Sequence, residues 1–286
     1  MPRLLAIGHV TWDRLQGQTV LGGSVTYATQ TARKLGWEAA ALTSAGPDFE
    51  PERDLPGVTT FVARGDATTR FVNNYGEGGA RTQVLSSRAT EIALSLVPEE
   101  WRRPDVLLLG GVAAEIHGRA AEAFEAEVVG ANAQGWVRTF GPGGEVSPCE
   151  WERPQDSLAG VHALFLSEHD IPKALSRSRD LLAYVPMIAV TSGWRGLSLL
   201  TRDGVEQIPG FPRPEVDPTG AGDVFATAFL IRYQETGNPS EAAVFACCAA
   251  SCVVEGVATT TLGDRAEIMK RTSMRDRLVE DGEWEE

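Results

Sequence analysis

The sequence of 286 residues predicts an α/β fold around a mostly parallel sheet. Apolar runs of strand length alternate along the chain with segments of helical period, which is the pattern of repeated βαβ units. With 43% hydrophobic and 23% charged residues, the composition is that of a globular chain with enough apolar residues for a large core. The strand candidates are residues 4–8, 39–43, 106–109, 161–166 and 187–191, and the helix candidates are residues 24–35, 118–126, 171–184, 221–236, 240–255 and 265–271.

One interval departs from this alternation. Residues 59–62 and 69–75 are rich in β-branched and aromatic residues and are joined by a turn-forming segment, which is typical of an antiparallel hairpin. Because two strands rarely fold alone, we interpret residues 58–88 as a lid over one sheet edge within a single domain of residues 1–286. The acidic end of the chain, residues 275–286, is expected to be a frayed tail.

Charge and composition argue against several classes of function. A net charge of −13 repels polyanions, so nucleic acid is not an expected partner. The longest apolar stretches fall short of the roughly 20 residues that span a bilayer, and the N-terminal residues lack a signal-peptide pattern. We therefore expect a cytoplasmic protein without a membrane partner. The four cysteines and four histidines lack the spacing of a disulfide framework or of a zinc site.

The sharpest signal for chemistry is residues 217–223, DPTGAGD, directly before a long apolar helix. Small residues at a helix start leave backbone N–H groups uncovered, so an anion can bind there. We call Gly220, Ala221 and Gly222 the anion cradle. Asp223, next to the cradle, could accept a proton from a hydroxyl that attacks a bound phosphoryl group. The alternative is an ordinary turn followed by a helix cap.

Two other nucleotide-binding motifs are missing from the sequence. None of the three lysines follows a glycine, so the chain contains no G-x-x-x-x-G-K-[ST] loop. The glycine clusters at residues 76–79 and 141–144 do not complete a G-x-G-x-x-G motif after a strand. Hydride transfer with a dinucleotide is therefore a distant second to phosphoryl transfer.

Four segments together resemble the PfkB, or ribokinase-like, carbohydrate kinase family. They are residues 217–225, which resemble its C-terminal signature, Gly22-Gly23-Ser24, which resemble its diglycine, residues 45–48, which resemble the glycine and aspartate after its second strand, and residues 191–196, which resemble its T-x-G-x-x-G turn. The similarity spans roughly residues 4–262, and the ordered set is more specific than any single glycine pair. It implies a three-layer sandwich with a mostly parallel central sheet and a small, reduced β lid.

The resemblance also implies a reaction. It is the transfer of the γ-phosphoryl group of ATP, with Mg²⁺, to a hydroxyl of a sugar or polyol such as an inositol. Asp223 would be the general base, and the anion cradle would hold the charge that develops on the transferred group. Two alternatives stay open. One is a nucleoside kinase of the same family, with Trp12, Tyr27 or Tyr75 stacking on the base, and the other is a non-catalytic sensor of a polyol or nucleotide.

The same resemblance assigns further residues to the site. Those implied to face the acceptor are Asp13, Gly22, Gly23, Tyr27 and Asn73, and those implied to bind the nucleotide are Thr191, Gly193, Gly196 and Thr219. Those implied to act on cations are Asp170 and Ser167 for Mg²⁺ and Asp217 for a monovalent cation such as K⁺. Each has a simpler alternative, such as a turn at Asp13, a hairpin at residues 191–196 or a helix cap at Asp170.

Two further expectations concern the acceptor side. Arg138 either binds an acidic acceptor or is a surface arginine, and residues 109–116 and 134–138 are similar to the inositol-kinase-like branch. Only eight residues separate Asp13 from Gly22, which predicts too little length for a hairpin there. The lid is thus expected to come mainly from residues 58–88, with Phe71, Asn73 and Tyr75 covering the acceptor. A smaller lid offers less edge for pairing, so we expect a monomer or a homodimer through another surface.

Overall fold

A computed structural model of the protein describes residues 1–15, 17–75, 81–171 and 174–280. Three sequence-based predictions therefore fall wholly or partly outside the described residues. They concern the glycine cluster at residues 76–79, the side chain of Tyr75 and the last part of the acidic tail, residues 281–286.

A nine-stranded sheet forms the centre of the fold, in the order β15-β14-β13-β12-β9-β8-β1-β4-β5. Its strands are β1 (Arg3–Ile7), β4 (Glu38–Ala45), β5 (Thr59–Arg64), β8 (Val106–Leu109), β9 (Val128–Asn132), β12 (Ala163–Ser167), β13 (Met187–Thr191), β14 (Leu197–Thr201) and β15 (Gly204–Ile208). The strands from β13 to β5 pair in parallel, while β14 and β15 are antiparallel additions at one edge. The prediction of a mostly parallel sheet is confirmed.

Helices cover both faces of this sheet, which confirms the three-layer arrangement. One layer contains α1 (Ser24–Lys34), α5 (Ala221–Thr236), α6 (Pro239–Val253) and α7 (Arg265–Glu280), and the other contains α4 (Ala174–Leu181) with several short helical turns. Two further short helices are α2 (Pro51–Asp54) and α3 (Pro154–Ser157). The alternating side chains of the strands feed two separate apolar cores, one on each face. Because neighbouring parallel strands run in one direction, their carboxyl ends lie along a single edge, where loops bring polar residues together.

The lid is a four-stranded sheet in the order β3-β2-β6-β7, and its composition differs from the prediction. Its strands are β2 (Thr11–Leu15), β3 (Gln18–Gly22), β6 (Thr69–Tyr75) and β7 (Arg81–Ser87). The prediction that residues 14–21 are too short for a hairpin is wrong, because β2 and β3 pair in antiparallel register with only two residues between them. The predicted hairpin of residues 59–62 with 69–75 is also wrong. The first of these segments is β5, which pairs in parallel with β4 at the edge of the main sheet.

Three other elements differ from the sequence-based prediction. The helix expected at residues 118–126 is only a short turn of 3₁₀ helix, Ala120–Ala123. The tail predicted to be frayed from residue 275 is helical as far as Glu280, and Arg275 anchors it by donating to the carbonyl of Pro209 from Nε at 3.1 Å and from Nη2 at 3.0 Å. A short hairpin, β10 (Arg138–Phe140) with β11 (Val146–Pro148), was not anticipated. Among the helices of the described residues, none has both the length and the apolar character needed to span a bilayer.

Candidate active site

The start of α5 shows why the anion cradle needs glycine at Gly220. This residue is the N-cap of α5 and has a φ of 83°, in the left-handed region that favours glycine. A Cβ placed on it would lie 2.2 Å from Cε1 of Tyr27, a ring that is only 1% exposed. The loop therefore lies directly on the ring of Tyr27.

Gly222 has different surroundings. A Cβ on this residue would meet no atom within 4 Å, so the backbone of the first turn of α5 faces open space there. The N–H groups of a first helical turn lack intrahelical acceptors, and they carry the positive end of the helix dipole. The N–H of Ala221 is already engaged, because it donates to the carbonyl of Pro218 at 3.2 Å. The position of Gly222 thus fits an anion-binding role better than that of Ala221.

Asp223 follows the cradle and is held by two side chains from other elements. Nδ2 of Asn132, the last residue of β9, donates to Oδ1 of Asp223 at 2.7 Å. The hydroxyl of Ser24, the first residue of α1, also hydrogen-bonds to this carboxylate. The N-termini of α1 and α5 therefore converge on one carboxylate at the carboxyl end of the central sheet.

The surroundings of Asp223 also change its acidity. Burial disfavours the charged form and raises the pKa of Asp223 from the usual range of an aspartate to about 6. The hydrogen bond from Ser24, the charge of Arg138 and the hydrogen bond from Asn132 act in the opposite direction, while the nearby charge of Asp170 raises the pKa further. Asp223 is therefore mainly ionised at neutral pH but can still bind a proton.

The lid adds polar side chains to those around Asp223, and we call this set of side chains the acceptor pocket, because the sequence predicts that it faces the acceptor. Its side chains are Asp13, Asn73, Gln83, Asn132, Arg138 and Asp223. Asp13 is buried on β2 and accepts a hydrogen bond from the hydroxyl of Thr11 at 2.8 Å. Phe71 packs against Val112 and Ala113 and so seats the lid on the loop after β8.

The diglycine allows close contact rather than lining open space. A Cβ on Gly22 would lie 2.3 Å from Oδ2 of Asp13, so this glycine lets β3 press against the carboxylate. Gly23 has a φ of 87°, and a Cβ there would lie 2.3 Å from the carbonyl oxygen of His9. Both glycines are adjacent to the acceptor pocket, and they bring Ser24 towards Asp223.

A buried carboxylate fixes the loops beneath the lid. Glu115 is 3% exposed and accepts hydrogen bonds from the backbone N–H groups of His9 at 2.8 Å, Val112 at 3.0 Å and Ala113 at 2.6 Å. The ring of His9, whose pKa is lowered by burial, is hydrogen-bonded to the hydroxyl of Thr69 on the lid strand β6 at 2.8 Å. Glu115 thus joins the ends of β1 and β8 below the lid.

The predicted nucleotide and Mg²⁺ residues meet at the ends of β12 and β13. Ser167 lies opposite Thr191 in the parallel pairing, and the N–H of Glu168 donates to the carbonyl of Thr191 at 3.0 Å. Asp170 folds back to accept a hydrogen bond from the N–H of Ser167 at 2.8 Å, so it does cap this turn. A cavity of about 840 Å³ borders this region, with Ser192 in its lining, and Asp223 is outside it.

The two glycines of the β13–β14 turn also differ. A Cβ on Gly196 would lie 2.1 Å from the carbonyl oxygen of Ile208, whereas a Cβ on Gly193 would meet nothing within 4 Å. The hairpin predicted as the simple alternative for this segment is present, since β13 and β14 pair in antiparallel register. Gly196 thus has a packing role, while the backbone at Gly193 faces open space.

The predicted cation residues fit their groups to different degrees. Oδ1 of Asp217 accepts the N–H of Thr219 at 3.0 Å, while Oδ2 of Asp217 and Oγ1 of Thr219 are buried without a hydrogen-bond partner in the described structure. Such oxygens suit a monovalent cation. Within the described residues, no group of three or more His, Cys, Asp and Glu side chains is placed to hold a metal ion. Mg²⁺ commonly uses one or two carboxylates together with substrate phosphates, and Asp170 fits that mode.

The structure revises one predicted site residue and adds others. Tyr27 was expected to face the acceptor, but its ring lies beneath Gly220, because α1 packs against α5. Sequence reasoning missed Asn132 and Glu115 and gave no role to Gln83. A polar residue at the end of the apolar segment 128–131 was the available signal for Asn132.

Comparison with known proteins supports this description. The model of the pfkB family carbohydrate kinases matches residues 144–264 of the chain. This part includes β11 to β15, α5 and α6, and hence the anion cradle and Asp223.

Three curated relatives are kinases. A nucleoside kinase of Methanothermobacter thermautotrophicus is 28% identical over 146 residues, which is 49% of this chain and only about half, 47%, of the relative. An ATP-dependent ribose-1-phosphate kinase of Halopiger xanaduensis is 24% identical over 92% of this chain and 96% of its own. An inositol 3-kinase of Arabidopsis thaliana is 24% identical over 89% of this chain and 74% of its own.

A solved structure shows the same fold. It is a pyrophosphate-dependent kinase in the ribokinase family, complexed with a pyrophosphate analogue and myo-inositol, with a TM-score of 0.78 and 17% identity over 93% of this chain and 99% of its own. The family match, the curated relatives and this likeness agree with the predicted resemblance. Residues 144–264 therefore match the pfkB family of carbohydrate kinases, and the curated relatives are phosphotransferases with a hydroxyl group as acceptor.

Proposed function

We propose that the protein is an ATP-dependent kinase that transfers the γ-phosphoryl group to a hydroxyl of a sugar or polyol, such as an inositol. The observation that carries this proposal is the position of Asp223 beside the open first turn of α5, with hydrogen bonds from Asn132 and Ser24 and a pKa raised to about 6. A general base works best when its pKa lies near the working pH. The name of the Halopiger xanaduensis relative supports ATP as donor. The names of the three relatives include a ribose phosphate, an inositol and a nucleoside as acceptors.

The proposal assigns a residue to each step of the reaction. When bound, Mg²⁺ and ATP supply the phosphoryl group with part of its charge neutralised. Ionised Asp223 accepts the proton of the acceptor hydroxyl as that oxygen attacks, and Asn132 holds the carboxylate in position. The backbone N–H of Gly222 stabilises the charge that develops on the transferred group. Asp13 binds acceptor hydroxyls, since a carboxylate can accept several hydrogen bonds.

The geometry favours this function over a nucleoside kinase. Tyr27 is buried beneath Gly220, and Trp12 alternates with Asp13 along β2, so its side chain lies on the opposite face of the lid. Two of the three aromatic residues considered for base stacking are therefore outside the acceptor pocket, and the side chain of Tyr75 is not among the described residues. The described side chains that the proposal assigns to the acceptor, those of Asp13 and Asn73, are polar.

The test is phosphoryl transfer measured on a panel of acceptors. Purified protein is assayed with ATP, and separately with pyrophosphate, against inositols, hexoses, pentoses and nucleosides. We expect transfer from ATP to a sugar or polyol, and Asp223→Asn should lower kcat by roughly 10² to 10⁴ with KM values within a few-fold. Asp203→Asn, an exposed aspartate in the β14–β15 turn, is the matched control. Absence of transfer to every acceptor, with binding of ATP retained, would support a sensor instead.

A further inference from the structure

We infer that His9 is a positioning residue for the reaction, because it holds the lid, and with it Asp13, in a fixed place relative to the main sheet. The inference rests on the proposed function, which assigns Asp13 to the acceptor. His9 lies between β1 and β2, where the chain leaves the main sheet for the lid, and it is fully buried. Sequence reasoning assigned no role to this histidine.

In the described part of the chain, His9 contacts each of the four places where the chain passes between the main sheet and the lid. It belongs to the first, between β1 and β2. Its carbonyl oxygen lies against the second, between β3 and α1, where a Cβ on Gly23 would be 2.3 Å from it. Its ring is hydrogen-bonded at Nδ1 to the hydroxyl of Thr69, at the start of β6, at 2.8 Å, and at Nε2 to the carbonyl of Thr90, after β7, at 3.0 Å. The ends of all four lid strands thus meet at one residue.

The backbone on either side of the ring is anchored to the main sheet. The N–H of His9 donates to Oε1 of Glu115, in the loop after β8, at 2.8 Å. The N–H of Val10 donates to Oγ1 of Thr43, on β4, at 2.8 Å. Because the backbone is fixed by main-sheet elements and the ring bonds the lid, His9 transmits the position of the sheet to the lid.

These contacts reach Asp13 through neighbouring strands. Thr69 lies opposite Thr11 in the parallel pairing of β6 with β2, and the hydroxyl of Thr11 donates to Oδ1 of Asp13 at 2.8 Å. Asp223, in contrast, is on α5 and is held from β9 and α1. The placement of Asp13 relative to the base therefore depends on how the lid is seated. Misplacement of a binding group by about 1 Å can lower a rate by up to about 100-fold.

The hydrogen bonds also assign the proton of the ring. A carbonyl oxygen only accepts, so Nε2 carries the hydrogen that bonds to Thr90. Oγ1 of Thr69 accepts the N–H of Ala89 at 2.9 Å and donates its own hydrogen to Nδ1. Burial lowers the pKa of His9, which keeps the ring neutral at pH 8. A side chain that lacks either nitrogen would leave a polar group beneath the lid without its partner.

The experiment replaces His9 by side chains that keep one or neither of the two ring bonds. The amide of His9→Asn stands near the position of Nδ1 and that of His9→Gln near the position of Nε2, while His9→Phe fills the space without either bond. Initial rates are measured at pH 8, well below the Tm of each variant, with ATP, Mg²⁺ and either myo-inositol or D-ribose. His9→Phe should raise the KM of the acceptor about 10-fold or more, the effect of one hydrogen bond to a charged group, and leave the KM of ATP within about 2-fold. His9→Asn and His9→Gln should each restore part of this loss.

Hydrogen exchange of the free protein reports on the lid without any reaction. In His9→Phe, the amides of residues 11–15 and 69–73 should exchange faster than in the wild type, and those of residues 163–167 in the main sheet should not. His162→Phe is the matched control. Nδ1 of His162 also accepts a backbone N–H, that of Val129 at 2.9 Å, but this bond joins the amino ends of β9 and β12, at the opposite edge of the sheet from His9. The control should lower Tm and leave the KM of the acceptor unchanged.

If His9→Phe does not fold, Thr69→Val removes the same bond from the lid side, and Thr69→Ser, which keeps the hydroxyl, should retain wild-type values. An acceptor KM within about 2-fold of the wild type, or lid amides that exchange as in the wild type, would show that the inference is wrong while the kinase function stands. A fall in kcat alone, with both KM values unchanged, would contradict it as well. If the wild type phosphorylates no acceptor of the panel, the kinase function fails, and hydrogen exchange alone decides whether His9 holds the lid.

Discussion

Gly220 and Gly222 provide a test that separates folding from catalysis within a single loop. Both belong to the anion cradle, but an added methyl group has opposite consequences at the two positions. At Gly220 it would lie 2.2 Å from the ring of Tyr27 on a backbone with a φ of 83°. At Gly222 it would meet no protein atom within 4 Å.

The two alanine variants should therefore differ in stability. For Gly220→Ala, the left-handed backbone costs about 1 to 2 kcal/mol and the overpacking about 1 to 3 kcal/mol. With an unfolding entropy of roughly 0.6 kcal/mol per kelvin for a chain of this length, Tm should fall by about 3 to 8 °C. Gly222→Ala introduces a better helix former and should raise the unfolding free energy by up to about 1 kcal/mol, or change Tm by less than about 2 °C.

Activity should follow the opposite order. The methyl group of Gly222→Ala would stand where the transferred phosphoryl group approaches the first turn of α5, so we expect kcat/KM to fall by roughly 10² to 10³. Gly220→Ala, assayed well below its Tm, should lose less. Scanning calorimetry and initial-rate assays on the same preparations measure both effects. A Gly222→Ala protein with wild-type stability and wild-type kcat/KM would refute the assignment of the cradle.

Three further predictions concern the half-buried carboxylate of Asp223 and the buried carboxylate of Glu115. Because the pKa of Asp223 is raised to about 6, the folded state favours its neutral form, so the stability it contributes is present at low pH and is lost as pH rises through about 6. Asp223→Asn should therefore raise Tm at pH 8, by the equivalent of about 1 to 3 kcal/mol, and have little effect at pH 4, a contrast that pH-dependent calorimetry measures. The acid limb of the pH profile of kcat/KM should lie near pH 6, at the pKa of Asp223. In Asn132→Ala the limb should move to higher pH, because the variant removes a hydrogen bond that favours the charged form of Asp223. An unchanged limb would contradict the role of Asn132. Glu115→Gln replaces a carboxylate oxygen by an amide NH₂ group that cannot accept the backbone N–H bonds. Urea titrations should therefore show an unfolding free energy lower by about 1 to 3 kcal/mol. A decrease below about 0.5 kcal/mol would show that the loops do not depend on this carboxylate.

The sequence predicted the apolar parallel strands of the central sheet more accurately than the strands that depart from that pattern. Buried parallel strands such as Val106–Leu109 are continuous apolar runs and are easy to find. β9 was missed because its sequence, VVGAN, has a glycine in the middle, which weakens a strand pattern. The structure explains that glycine, since a Cβ on Gly130 would lie 2.4 Å from Leu230 of α5. The helix presses on the strand at this point, and no local pattern shows that.

The lid was mispredicted for a related reason. The prediction assumed that the eight residues between Asp13 and Gly22 were needed to cover the distance from the sheet to the first helix. In the structure β2 and β3 pair with each other instead, and β2 also pairs with β6, which lies far along the chain. Pairing between distant strands is decided by tertiary packing, which local propensity does not contain. The same limit applies to the site. The cradle and Asp223 are contiguous and readable, but Asn132 reaches Asp223 across 91 positions.

The acidity of Asp223 depends on the packing that the sequence left hidden. Its pKa is raised because burial outweighs the hydrogen bonds and the cation that favour the charged form. That burial requires α1 and α5 to approach closely, and Gly220 on the ring of Tyr27 allows them to do so. Ser24, at the start of α1 directly after the diglycine, then supplies a hydrogen bond to this half-buried carboxylate. In the proposed function, Tyr27 is thus a positioning residue that lies beneath the loop next to the base, rather than a contact for the acceptor.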